Sequence, residues 1–152
     1  MKKIKVNGAL IVMCAFITLA ISSLSFTTRY GLDGYEVYLN DKLVLKQSVN
    51  QPLNLRILNL DKAKETDQLQ FLYKHCMRDN GPGTGRSIAL KDDTGNTLRK
   101  WDFADADKGG LRMAIAVKDL LLLQKKSAGH QLSLFYSSRE LGKGEMLSMV
   151  RF

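Results

Sequence analysis

From Tyr35 to Phe152 apolar and polar residues alternate in short runs, each closed by turn-forming residues. A period of two puts successive side chains on opposite faces of a strand, so the pattern calls for sheets with one buried face rather than a helical bundle. YEVYL sets Tyr35, Val37 and Leu39 on one face, and Asn40-Asp41 separates it from KLVLKQ. Asn and Asp tolerate positive φ, so this pair predicts a two-residue hairpin turn. LNLRI sets Leu53, Leu55 and Ile57 against Asn54 and Arg56, and QLQFLYKH aligns Leu69, Phe71, Tyr73 and His75. SIALK and TLRKWDF flank DDTGN, whose Gly95 and Asn96 mark a turn. LRMAIAV alternates Leu111, Met113, Ile115 and Val117. QLSLFY and MLSMVRF end the chain, with Met146, Ser148, Val150 and Phe152 on one face.

KDLLLLQKK, Lys118 to Lys126, breaks the alternation with four consecutive leucines between charges. Asp119 is placed to cap a short helical turn there. The expected fold is therefore all-β, a two-sheet antiparallel β-sandwich of about eight strands with one short helical turn, preceded by an N-terminal signal helix.

That leader reads from the first residues. Lys2, Lys3 and Lys5 precede an apolar run from Ala9 to Ile21, and small residues follow at Ser22, Ser23 and Ser25. This is the layout of a secretory signal peptide, with cleavage sites before Phe26 or after Ser22. An uncleaved membrane anchor is the alternative, although the apolar run is shorter than the ~20 residues of a span. Cys14 lies inside the run without a small residue before it, which makes it a poor lipidation site. The expected organisation is a signal segment over 1–25 and a single sandwich domain over 26–152, an exported, periplasmic, cell-surface or secreted chain. Removing three lysines leaves 20 basic and 15 acidic residues, a net charge of +5. These charges are interleaved, and a nucleic-acid footprint needs them clustered. No nucleic-acid partner is expected, and a membrane only through an uncleaved leader.

Four constellations bear on chemistry. NGPGTGRS resembles a phosphate-binding loop, but Asn80 stands where its first glycine belongs and Arg86 where its lysine belongs. The segment also runs on into a strand instead of the helix whose N-terminus would face a phosphate. It reads as a long hairpin loop, with Arg78, Gly81, Gly83, Gly85 and Arg86 as a candidate binding loop for an anion or carbohydrate. Cys76, the one cysteine beyond the leader, is a candidate free thiol. On a regular strand its neighbour His75 points the other way, which argues against a Cys–His nucleophile. Donors for copper or zinc are too few or wrongly spaced, since Met146 and Met149 lie on opposite faces of a regular strand. Counted from Asp102, Asp107 and Met113 occupy the positions where a calcium EF-hand loop has Gly and Glu. No catalytic residue, metal ligand or cofactor is assigned, and no Ser–His–Asp spacing stands out.

Across the mature length the strand layout resembles fibronectin-III or immunoglobulin-like sandwiches, and small exported all-β proteins of bacterial envelopes with no assigned activity. Trp101 is a candidate central-strand core residue in that comparison, while the inter-sheet disulfide is missing. The resemblance implies a non-enzymatic binding or structural module with a protein or carbohydrate partner outside the cytoplasm. The alternative is a small metal-handling or redox protein using Cys76 with His75, His130 or the methionines.

Overall fold

Asn40 and Asp41 take positive φ, 48° and 67°, and join β1 (Gly34–Leu39) to β2 (Lys42–Ser48) through the turn their side chains favour. The computed structural model describes residues 32–76, 83–105, 112–141 and 143–152. The expected leader, Met77, Arg78, Gly81, Asp107 and Leu111 lie outside these residues. Beyond β2 come β3 (Ile57–Asn59), β4 (Gln68–Lys74), β5 (Ser87–Lys91), β6 (Thr97–Asp102) and β7 (Met113–Ala116). A helix, α1 (Val117–Lys126), leads to β8 (Leu132–Ser137) and β9 (Glu145–Arg151). These nine strands form two sheets, one ordered β2-β1-β4-β7 and the other β3-β9-β8-β5-β6.

The alternation decides what each sheet buries. Val37, Leu69, Phe71, Met113 and Ile115 of the four-stranded sheet and Leu58, Ile88, Leu90, Leu134 and Val150 of the five-stranded sheet belong to one core cluster. Each such side chain contributes about 1.5–3 kcal/mol by leaving water. Two aromatic side chains of the four-stranded sheet also make specific contacts across to the other sheet. The Tyr73 and Tyr136 rings stack with centroids 4.1 Å apart, and the Tyr35 hydroxyl donates to the Leu147 carbonyl.

The structure departs from the sequence expectation in five places. LNLRI is not a strand throughout: Pro52 starts a 3-10 turn at Leu53–Leu55, closed by the Leu55 and Arg56 amides. Leu53 and Leu55 are therefore exposed, and Arg56 is the buried residue. β3 pairs with β9 in parallel, so the five-stranded sheet is mixed. The helical segment runs ten residues, not one turn. Leu120 is buried, Leu121 and Leu123 pack against the core, and Leu122 faces solvent, which accounts for the leucine run. Its N-cap is Ala116, with Asp119 in the first turn and Lys125 and Lys126 in the last, the charge order that complements a helix dipole. Trp101 lies on β6, an edge strand rather than a central one, where it packs against the core with Arg99 over its ring. Finally, the register of β9 shifts opposite Leu134 and Phe135. The extra residue buries both Leu147 and Ser148, and it leaves Met146 and Met149 half-buried opposite Phe135 and Ser133 on the same outer face.

Candidate functional site

At one end of the sandwich, five stretches of chain converge on polar side chains. β4 ends with Tyr73 facing the core, and the alternation brings His75 inward behind it while exposed Cys76 turns away. A buried imidazole needs partners for both nitrogens. Asp33, just ahead of β1, supplies the first: its Oδ2 lies 3.1 Å from His75 Nδ1 and accepts from the Tyr73 hydroxyl at 3.1 Å. Its Oδ1 accepts the Cys76 amide at 2.8 Å. A carboxylate only accepts, so Nδ1 carries a proton. Nε2 faces the Tyr136 hydroxyl and Ser138 Oγ, each at 3.3 Å.

Gly83 closes the cluster from above. It has φ +80°, and a Cβ there would stand 2.7 Å from His75 Nε2, 2.9 Å from the Tyr136 hydroxyl and 3.0 Å from Glu140 Oε2. Beside it, Glu140 takes the Thr84 amide on both oxygens, at 2.8 and 2.9 Å, and the Thr84 hydroxyl at 2.8 Å. Burial raises the pKa of the Glu140 carboxyl, but hydrogen bonds from Thr84, its own amide and Ser138 outweigh that and hold it at about 2. Burial likewise pushes the Tyr136 phenol up to about 12, against a lowering hydrogen bond from Ser138. Tyr73 is also shifted upward, by burial first and then by the Asp33 charge.

The described members of the candidate binding loop fall around this cluster and are tied down. Gly85, at φ +58°, donates its amide to Asp105 Oδ1 at 2.6 Å. Arg86 is buried, and its guanidinium donates to the Ala104 carbonyl at 3.1 and 2.7 Å. These bonds hold the segment after β6, and the Arg86 carbonyl accepts the Phe103 amide. Arg78 and Gly81 lie outside the described residues. Cys76 and His75 are on opposite sides of the chain. His130 is remote from both in this fold, paired with Asp93 at 2.7 Å in the turn that joins β5 to β6. Among the described residues no three His, Cys, Asp or Glu side chains gather as a metal site.

Asp33, Ser138 and Glu140 were not singled out by the sequence reading, and His75 was weighed there only as a partner of Cys76. Asp33, His75 and Ser138 stand in the order of a hydrolytic triad, at 3.1 and 3.3 Å. Catalysis by such a set also needs room at the nucleophile and converging N–H donors for an oxyanion. Here the Gly83 backbone occupies the space over Nε2, and the neighbouring Thr84 and Gly85 amides are directed to Glu140 and Asp105. The arrangement ties Asp33, the end of β4, the strand entering β5 and the segment after β8 into one knot.

The other polar feature lies on the outer face of the four-stranded sheet. Glu36 is 9% exposed although it points outward. Its Oε2 accepts the Tyr38 hydroxyl at 2.6 Å, and its Oε1 lies 2.9 Å from Lys46 Nζ and 3.6 Å from Lys74 Nζ. The Tyr38 and Lys46 hydrogen bonds hold this carboxyl at about 2. Compared with protein-family models, curated proteins and solved structures, the chain matches none.

Proposed function

We infer that this chain is an exported, non-enzymatic binding module built on an immunoglobulin-like sandwich. One observation carries the reading: Asp33, His75, Tyr136, Ser138 and Glu140, the side chains best suited to acid–base or nucleophilic work, bond to one another beneath Gly83. Strand order supports the immunoglobulin-like part. β1-β4-β7 stands opposite β9-β8-β5, with β6 extending the second sheet as a hairpin partner of β5, an order consistent with a variable-type sandwich, to which β2 and β3 add outer strands. The Tyr73–Tyr136 stack then joins β4 and β8, the two strands that a disulfide joins in antibody domains. Export rests on the leader pattern of residues 1–25.

A hydrolase is the second reading, favoured by the file of Asp33, His75 and Ser138. Fluorophosphonate labelling followed by peptide mass spectrometry separates the two. The binding module leaves Ser138 unlabelled, and His75→Ala lowers stability without altering any labelling. Labelling of Ser138 that disappears in His75→Ala would establish the hydrolase. Native mass spectrometry without reductant tests the rest. Export predicts a new N-terminus near Ser25, and a copper or zinc adduct on Cys76 would instead favour the metal-handling reading.

A further inference from the structure

The outward side of β1 has one position without a side chain. Gly34 pairs with Ser48 on one side and Lys74 on the other, and Glu36 pairs with Lys46 one step along the strand. The missing side chain leaves a hollow of about 310 Å³ over the sheet, bordered by Lys46, Ser48, Gln51 and Lys74 with Glu36 at one end. This is at the lower end of the size range of small-ligand sites.

Its lining is rich in unused donors. Each ammonium carries three N–H groups, and Glu36 Oε1 is the one acceptor shared by Lys46 and Lys74. The Ser48 hydroxyl and the Gln51 side-chain amide make no hydrogen bond among the described residues. Two lysines against one carboxylate leave a local charge of +1. Because Glu36 is locked by Tyr38 as well, it works as a brace that holds both ammoniums over the hollow. An anion with several oxygens fits this lining. The hollow is also larger than a lone phosphate or sulfate needs, and the neutral hydroxyl and amide donors match sugar hydroxyls.

We propose that the hollow above Gly34 binds a carboxylated sugar residue of an acidic polysaccharide, with Lys46 and Lys74 on the carboxylate and Ser48 and Gln51 on ring hydroxyls. This rests on the binding-module reading and names its ligand class. Such a contact is sensitive to ionic strength because both lysines are solvent-exposed.

The test is calorimetric titration of the folded protein with an oligogalacturonate, a neutral galactose oligomer, inorganic phosphate and anionic phosphatidylglycerol vesicles. Binding of the oligogalacturonate, weakened at least tenfold in Lys46→Gln and Lys74→Gln and lost at high salt, is expected. Gly34→Val is the second variant: a Cβ there meets only the Gln47 carbonyl, at 3.5 Å, so a side chain can start there and take up part of the hollow. It should weaken binding at least tenfold, with a melting curve to show that the fold is kept. No uptake of the oligogalacturonate overturns the proposal, as does binding undiminished in folded Gly34→Val. Equal affinity for phosphate would mark a plain oxyanion site, and vesicle binding alone a lipid surface; either also overturns it. Failure here with Ser138 still unlabelled by fluorophosphonate leaves the binding-module reading standing.

Discussion

Replacing Gly83 with alanine asks whether the knot at the end of the sandwich is as tightly shut as its distances indicate. Two costs add. An L-residue at φ +80° is strained by about 1 kcal/mol. The new Cβ would also lie 2.7 Å from His75 Nε2 and 2.9 Å from the Tyr136 hydroxyl, and neither ring is free to retreat. The imidazole is held by Asp33, a hydrogen bond to a charged group contributing about 1.5–3 kcal/mol. Moving Tyr136 would disturb its stack on Tyr73, which contributes about 0.5–1.5 kcal/mol. Breaking one of these adds about 2 kcal/mol, for a total near ~3 kcal/mol, or a fall in melting temperature of about 12 °C at ~4 °C per kcal/mol. Gly95→Ala and Gly129→Ala are the controls. Both glycines have positive φ, +89° and +92°, with nothing within 4 Å of a built Cβ, so each carries the strain alone, about 1 kcal/mol. Urea unfolding followed by fluorescence measures all three. If Gly83→Ala costs no more than Gly129→Ala, the cap does not press on the cluster, and the argument that Nε2 is covered fails with it.

Three further perturbations follow from the polar groups. Ser148 Oγ is buried without a partner among the described residues, so Ser148→Ala should raise stability by about 1 kcal/mol in the same unfolding assay, and a loss would mean the hydroxyl is satisfied. Arg56 is buried with its Nη1 on Glu145 and the Met146 carbonyl, so Arg56→Ala should cost about 3 kcal/mol while Glu145→Gln, at the more exposed end, costs less; the reverse order would refute the assignment. Glu36 and Glu140 both titrate at about 2 in the fold, below the ordinary value of 4.5. Depressed carboxyls contribute stability that is complete above the unfolded value and is lost as pH falls toward the folded one. Melting temperature should therefore drop between about pH 5 and about pH 2, and Glu36→Gln with Glu140→Gln should flatten that drop.

The strands were legible wherever one face is buried and one is wet. QLQFLYKH buries Leu69, Phe71, Tyr73 and His75, as period two requires, and Asn40-Asp41 turns as its chemistry requires. The errors came where a local rule competes with the period. Pro52 fixes its own φ and starts a 3-10 turn, so the alternation of LNLRI was real in sequence and misleading in space. The bulge in β9 has no sequence mark, because one extra residue looks like continued alternation until the partner strand is known. Parallel pairing of β3 with β9 is equally invisible, since it is a property of two segments 92 residues apart, as in Ile57 and Met149.

The polar knot was half legible. A histidine on the inward face of a strand must find partners, so a cluster around His75 was implied by its register with Tyr73. Its members were not, because Asp33, Glu140 and Ser138 reach their partners across 42, 56 and 63 residues of chain, and only the strand order brings them together. The same logic separates this knot from the Glu36 cluster. Side chains in the knot are accounted for by the fold, since each one satisfies a buried atom or holds a segment end. Glu36 is not required in that way: it sits on an outward strand position, where solvent could serve it, and yet it is covered by Tyr38 and bridged to Lys46 and Lys74. Ordering two long lysine side chains costs entropy that a surface ion pair barely recovers. A covered, doubly bridged carboxylate on an outward position, beside a hollow left by a glycine whose φ does not demand glycine, is the arrangement from which the proposed ligand site is argued.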